Sequence, residues 1–423
     1  MTKKTTSNFF PVLASACANT LRQEHNDIST VKTMGFDAGM TQQIQLALSS
    51  AGFETVESDE SRANLAIVNC IKQGKKGVDS LIMEVFLKSD FIICCVSDVF
   101  LFGTDRKYKE LRKDLILNGY VFSVVSIPQG ALPSTKDHVS FITLSHKSHA
   151  CETRFLTAET ITSLLSADTE PREKIEAITS SDAPWAIVSE VSYLIDTNRL
   201  DAQFHCPTAE QRKAHEYLEH IATTRLDNIV TFLRPARIEK SECEDRAMIL
   251  RLDVEDLANG GYTIPHEDKK VFIKQTGKKD SLIHKYDIVM VLKGKVGAVG
   301  LIGLEVKAIA HENIIILRLS QDDDIKRRSI ALFQYLRSQL SQAYLSRYSC
   351  LSSTTQTLSV DDIKQLPVPT NYSDNLEEAV SDFDRECQLT EQINKLEKER
   401  KDLLGRHWSL DQFSANFGNN FLK

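Results

Sequence analysis

The chain has 423 residues, of which 42% are hydrophobic and 26% charged, and its formal net charge is −7. That length predicts two or three domains around sizeable cores, and the composition is that of an ordinary soluble globular protein. The acidic balance excludes a global electrostatic pull on nucleic acid, so any such contact must come from a local basic patch. Met1 to Asn8 is polar and lacks the apolar core of a signal peptide, and no apolar run is long enough to span a bilayer; a cytoplasmic location is expected. The nine cysteines are scattered, odd in number and without a C-x-x-C pair, which points to reduced thiols and away from a disulfide framework or a zinc site. The eleven histidines show no H-E-x-x-H or H-x-x-x-H spacing with carboxylates, so no metal is expected.

From the amino terminus to about residue 150, strand-like and helix-like stretches alternate. Phe10 to Leu13 is a strand candidate, Val31 to Phe36 a second, and Thr41 to Ser50 a helix. Leu65 to Val68 is a third strand, Val78 to Lys88 a helix, and Phe91 to Val96 a buried strand in which Cys94 and Cys95 are core residues. Lys107 to Asn118 is an amphipathic basic helix, followed by strands at Val121 to Ile127 and Val139 to Leu144. Strands separated by helices imply a doubly wound parallel sheet closed by a hairpin-like pair. Gly74-Lys75-Lys76-Gly77 lacks the spacing of a phosphate loop and reads as a solvated turn.

Residues 151–198 read as a helical connector, with helices at Thr157 to Ser166 and Glu173 to Thr179 and with Trp185 as a core anchor. Arg199 to His205 opens a second module, and a helix over Ala209 to Thr223 follows. Leu250 to Leu257 is a strand running into a helical turn, and Lys269 to Lys279 is rich in lysine. Tyr286 to Gly303 begins as an apolar, β-branched strand, breaks at Lys293-Gly294-Lys295, and resumes through Val299, Leu301 and Ile302. Its glycines at 294, 297, 300 and 303 suit tight turns and close backbone approach and argue against a regular helix. Two lysines at such a tip are either a solvated turn or a phosphate-contacting loop. His311 to Leu319 is a strand. Asp322 to Asp324 starts a helix whose apolar stripe runs over Ile330 to Arg347, and Leu358 to Pro369 closes the module. Leu376 to Leu404 is a long helix whose apolar stripe either packs on its own domain or pairs with another helix. The tail after Gly405, with Trp408, Phe413, Phe417 and Phe421, reads as a docking segment.

The order of the first segments resembles N6-adenine DNA methyltransferases of the type I and type IIG restriction-modification kind. The resemblance is carried by Ser97-Asp98-Val99-Phe100-Leu101-Phe102-Gly103, the helix after it, and Ser126-Ile127-Pro128-Gln129-Gly130-Ala131-Leu132-Pro133. It sets Ala14 to Thr20 against the family's D-P-A-C-G-S-G loop for S-adenosylmethionine, with the acid and both glycines missing. It keeps Asp37 as the ribose-binding acid, and Asn69 as the asparagine of N-P-P-F/Y, with Cys70 and Ile71 where the prolines stand. This implies a degenerate methyltransferase-like domain over residues 1–150 with no cofactor and no catalytic residue, Asp37 and Asn69 being remnants. An active enzyme using S-adenosylmethionine, Asp37 and Asn69 is the alternative.

From residue 199 to about 405 the landmarks resemble the target recognition domains of type I specificity subunits: R-L-D-A-Q-F-H at 199–205, Y-D-I-V at 286–289 with Tyr286 in place of a glycine, and the closing L-P-V-P at 366–369. The implied architecture is a Rossmann-like, methyltransferase-type doubly wound sheet, an α+β target recognition domain over 199–375, and a spacer helix and tail over 376–423. The implied function is sequence-specific binding of double-stranded DNA in a restriction-modification or phage-defence system. Lys274, Lys278, Lys279, Lys293, Lys295 and Arg347 are the candidate phosphate contacts. The implied partners are a methyltransferase or a nuclease/translocase subunit, or a second copy through the last helix. No nuclease motif of the P-D…(D/E)-x-K type is found.

Overall fold

A computed structural model describes residues 9–25, 28–56, 62–71, 78–132, 135, 137–146, 150–165, 187–235, 246–257, 260–274, 282–352 and 355–405. The chain forms two compact units, residues 1–212 with 347–357, and residues 213–346 with 358–423.

In the described part of the first unit, the elements in chain order are helix α1 (Phe9–Glu24), β1 (Thr30–Met34), α2 (Ala38–Ser50), β2 (Glu54–Val56) and β3 (Ala63–Asn69). It continues through α3 (Val78–Phe86), β4 (Ser89–Ser97), α4 (Asp98–Phe102), α5 (Arg106–Leu117), β5 (Val121–Ile127) and β6 (Val139–Ser145). Then come β7 (Glu152–Leu156), α6 (Ala158–Leu165), β8 (Ile187–Glu190), α7 (Val191–Thr197) and α8 (Ala202–His205). Among the described residues, eight strands form one sheet in the order β2-β1-β3-β4-β6-β5-β7-β8. β1 to β4 run parallel, and β6 is inserted antiparallel between β4 and β5, which is the expected hairpin-like pair.

Both faces of this sheet are covered, and the alternation of β4 shows how. Phe91, Ile93 and Cys95 join Phe10, Leu13 and Ile44 of α1 and α2 in one core. Ile92, Cys94 and Val96 point the other way, onto Leu81 and Ile82 of α3 and Leu115 and Ile116 of α5. Cys94 and Cys95 are fully buried; a hydrogen bond with Cys70, together with burial, holds the Cys94 thiol well above its ordinary range, and burial does the same for Cys95.

Two expectations fail in this unit. Phe10 to Leu13 is helical, part of α1, so the first strand of the sheet is β1. Pro11 lies in the first turn of the described helix, where a missing N–H costs no hydrogen bond. Ala14 to Thr20 is therefore no cofactor loop: Ala14, Ser15, Ala16, Cys17 and Ala18 are buried helical residues, and Ser15 Oγ donates to the Ala47 carbonyl of α2 at 3.2 Å. Nor are residues 151–198 a separate connector, because β7 pairs parallel with β5 and antiparallel with β8. The expected helix at 173–179 and Trp185 lie outside the described residues.

The second unit follows with α9 (Ala209–His220), β9 (Thr223–Arg225), β10 (Val230–Leu233), β11 (Arg246–Leu252), β12 (Tyr262–Thr263), β13 (Lys270–Lys274), β14 (Ile288–Val291), β15 (Val299–Ile302), β16 (Ala308–Ala310) and β17 (Ile314–Leu319). Next are α10 (Ile325–Arg337), α11 (Gln339–Tyr348), β18 (Cys350–Ser352), β19 (Thr355–Thr357), α12 (Val360–Lys364), β20 (Pro367–Pro369) and α13 (Leu376–Gly405). The hairpin β18–β19 belongs to the first unit. The main sheet of the second unit has the order β10-β17-β14-β15-β12, and a smaller one the order β13-β11-β16.

The helix expected over Ile330 to Arg347 is two helices. Ser338 breaks it in extended backbone (φ −63°, ψ 152°), and its hydroxyl accepts from Ser341 N–H at 3.2 Å to start α11. The first of the two readings of the long helix α13 holds for its first part. Its first part packs on its own unit, with the Phe383 ring 4.9 Å from Tyr262 and 5.8 Å from Phe333, and Arg337 paired with Glu386 at 2.7 Å. Beyond that, Leu389, Ile393, Leu396 and Leu403 recur at spacings of four, three and seven and are exposed, Leu396 at 63%. No helix among the described residues is long and apolar enough to cross a membrane.

Candidate functional site

The lysine tip sits on a braced hairpin. β14 pairs with β17 on one side and β15 on the other, with Ile288, Val289, Met290 and Val291 fully buried. At the tip the chain turns through Lys293 to Ala298, closed by Val291 N–H to Ala298 O at 2.9 Å and Gly297 N–H to Val291 O at 3.0 Å. Gly297 has φ +78°, a conformation glycine takes without strain, and its carbonyl accepts from Gln342 Nε2 of α11 at 2.9 Å. Gly303 serves close approach instead: a Cβ there would stand 2.6 Å from the Tyr262 ring. Lys293, Gly294 and Lys295 are exposed, and neither lysine forms an ion pair among the described residues.

The base of the hairpin is held by charge. Asp287, 2% exposed, receives the Arg318 guanidinium on both oxygens, at 2.8 and 2.7 Å, and the His284 N–H at 2.7 Å. Arg318 also donates to the Leu282 carbonyl at 2.7 Å. Tyr286, standing where the resembled motif has glycine, takes φ +69°. Asp287 was legible as part of a motif, but its pairing with Arg318, 31 residues away, carries no sequence signal.

The other candidate phosphate contacts fare differently. Arg347 does not reach a nucleic-acid surface, because it is 8% exposed and packed in the first unit. Its Nε donates to the Phe204 carbonyl at 3.1 Å and its Nη2 to the Tyr193 hydroxyl at 2.9 Å. Its guanidinium lies 4.6 Å from the Phe204 ring centre, as does that of Arg199. Arg199 pairs with Asp201 at 2.9 and 2.8 Å, so the 199–205 stretch is a structural knot of the first unit and does not open the second. His205 within it is held neutral, burial lowering its pKa to about 4. Lys274 ends β13 with its side chain outside the described part, and Lys278 and Lys279 lie outside the described residues altogether.

Asp37 and Asn69 both follow the carboxyl ends of strands in the first unit's sheet. Met34 of β1 lies opposite Val68 of the adjacent parallel strand β3, so the turn Gly35-Phe36-Asp37 and Asn69 follow the carboxyl ends of neighbouring strands. Here the strand order reverses between β2-β1 and β3-β4, the place where open α/β sheets leave a crevice. Asp37 thus follows the first strand of the sheet and not the second. Its carboxylate accepts from Met40 N–H at 2.8 Å and caps α2. Gly35, with φ +77°, opens the turn. Asn69 is buried, and its Oδ1 accepts from Ile71 N–H at 3.1 Å.

No family model and no curated protein matches the sequence. Among solved structures the chain is similar to the type IIG restriction endonuclease BpuSI, with 10% identity and a TM-score of 0.41 over 88% of this chain and 60% of that one. It is also similar to the methyltransferase subunit of a type I restriction-modification system from Streptococcus thermophilus, with 11% identity and a TM-score of 0.34 over 45% and 57% of the two chains. A third is the S subunit of a type I restriction-modification system from M. genitalium, with 17% identity and a TM-score of 0.24 over 44% and 42%. The chain therefore spans three fifths or less of the length of each of these three proteins.

Proposed function

We propose that this protein binds double-stranded DNA sequence-specifically through the β14–β15 hairpin, as a recognition component of a restriction-modification or phage-defence assembly. The observation that carries the reading is an exposed Lys293-Gly294-Lys295 tip on a hairpin whose base is pinned by the Asp287–Arg318 pair. A rigid base with a two-lysine tip sets register on a phosphate backbone, and polar neighbours then read base edges. The charge-reversed variant K293E/K295E should weaken binding to a selected duplex at least tenfold. It should also flatten the dependence of affinity on salt by roughly two phosphate contacts, at about 0.9 in log–log slope for each. Fluorescence anisotropy across a salt series measures both, and wild-type protein with no preference among randomised duplexes would refute the reading.

The methyltransferase-like unit is read as a scaffold without turnover. Asp37 is engaged in capping α2, and Asn69 Oδ1 in a local turn with Ile71 N–H. Cys70 and Ile71 stand where the resembled N-P-P-F/Y motif has prolines, and no stacking aromatic follows. These residues do not fit the cofactor and target base of the active alternative. Calorimetric titration with S-adenosylmethionine should give only heats of dilution; saturable heat would reinstate the adenine-N6 methyltransferase alternative. The partner is read as a methyltransferase or nuclease/translocase subunit, or a second copy along the exposed stripe of α13. Light scattering of the protein alone, with Leu396→Glu as the control, separates the last case from the others.

A further inference from the structure

A cavity of about 470 Å³ opens in the first unit where α4, β5, α6 and α8 meet, at the carboxyl ends of β4, β5 and β7. That volume is in the range of sites for small organic molecules. Its wall divides by chemistry. Phe102, Ile127 and Ile187 supply an apolar side, while Asp98 and Glu159 supply carboxylates, and among the described residues neither lysine nor arginine lines it. Asp201, a third lining acid, is already paired with the buried Arg199.

Asp98 is the distinctive group. Its Oδ1 accepts the Ser140 hydroxyl at 2.7 Å, and among the described residues Oδ2 accepts no hydrogen bond. The element that carries it is locked from behind. The buried Arg112 donates to the carbonyls of Phe100, Gly103 and Asn198 at 2.6, 2.9 and 3.0 Å, fixing the end of α4 that begins with Asp98. Burial, aided by the nearby Asp201, raises the Asp98 pKa to about 7, so a negative charge there lacks the compensation an incoming cation would supply.

We propose that this cavity is a binding site for a small organic cation carrying an amidinium or guanidinium group on an apolar body. The paired N–H donors would meet the Asp98 carboxylate in the planar, two-point manner that such groups favour, with the body against Phe102, Ile127 and Ile187. Neither Asp37 nor Asn69 lines this cavity, and the proposal is independent of the DNA reading.

The test uses the full chain at pH 8 with three rigid isosteres: benzamidine as the cation, benzamide as the neutral form and benzoate as the anion. Calorimetry should show saturable benzamidine binding, at least tenfold weaker binding of benzamide, and none of benzoate. Asp98→Asn should abolish that preference for benzamidine over benzamide while the protein keeps its cooperative melt. Glu159→Gln, on the exposed side of the wall, should weaken benzamidine by a smaller factor and serves if Asp98→Asn does not fold. Equal binding of benzamidine and benzamide, unchanged affinity in both variants, or no saturation at millimolar benzamidine would overturn the proposal.

Discussion

Asp287→Ala should lower the stability of the second unit by about 3–5 kcal/mol, the cost of stripping the carboxylate from a buried ion pair. Two guanidinium contacts vanish at once, at 2.8 and 2.7 Å, and so does the acceptor for His284 N–H. The Arg318 side chain, 14% exposed, is then left facing a vacated acid position. The penalty is chiefly that of an uncompensated charge, so pairing the change with Arg318→Leu should recover part of the loss. Urea denaturation should be followed with a probe in each unit, since a two-unit chain need not unfold in one step. A shift below about 1 kcal/mol in the second unit's transition would show that the pair does not brace the hairpin. Because the same pair holds the base of the lysine tip, Asp287→Asn, which keeps the shape, should also weaken duplex binding less than Asp287→Ala.

Asp98→Asn should stabilise the first unit strongly at pH 8 and only slightly at pH 4. Asp98 titrates at about 7 in the folded protein against an ordinary 3.8, because burial penalises its charge. The folded state therefore holds its proton more tightly than the unfolded chain. That contribution is complete below about pH 3.8 and disappears as the pH rises to about 7. Asparagine carries no charge to desolvate and can still accept the Ser140 hydroxyl, so the gain above pH 7 should be on the order of 2–4 kcal/mol. His205 works with the opposite sign: lowered to about 4, it adds stability that is full above its ordinary 6.5 and is lost as the pH falls through about 4. Between pH 4 and 6.5 the two offset one another in the wild type. The variant should show the His205 dependence alone, becoming more stable as the pH rises across that window. Thermal melts at pH 4, 6 and 8 measure this, and parallel profiles for the two proteins would remove Asp98 from the account.

How well the chain reads without coordinates depends on the range of the forces involved. β3, β4, β5 and β6 were legible because runs such as Phe91 to Val96 are apolar on both faces, as a strand covered on two sides requires. Phe10 to Leu13 has the same composition, and nothing within four residues separates a short buried strand from a buried helical turn. Reading that turn as a strand sets the loop of the resembled motif on a core helix and places Asp37 after the second strand, where the structure has the first.

The hairpin at Tyr286 to Gly303 was visible in the linear chain, tip and all, because left-handed turns and tight backbone approach select glycine at particular positions. Arg347 was misread because a basic residue in the last turn of a helix looks the same whether it faces water or, as here, the Phe204 carbonyl 143 residues earlier. The insertion of β6 between β4 and β5, the Asp287–Arg318 clamp and the Asp98 cavity likewise exist only once distant segments meet. Local backbone preference and side-chain periodicity are written along the chain. The partner of a buried charge is chosen by packing, because only the folded interior makes leaving it unpaired costly.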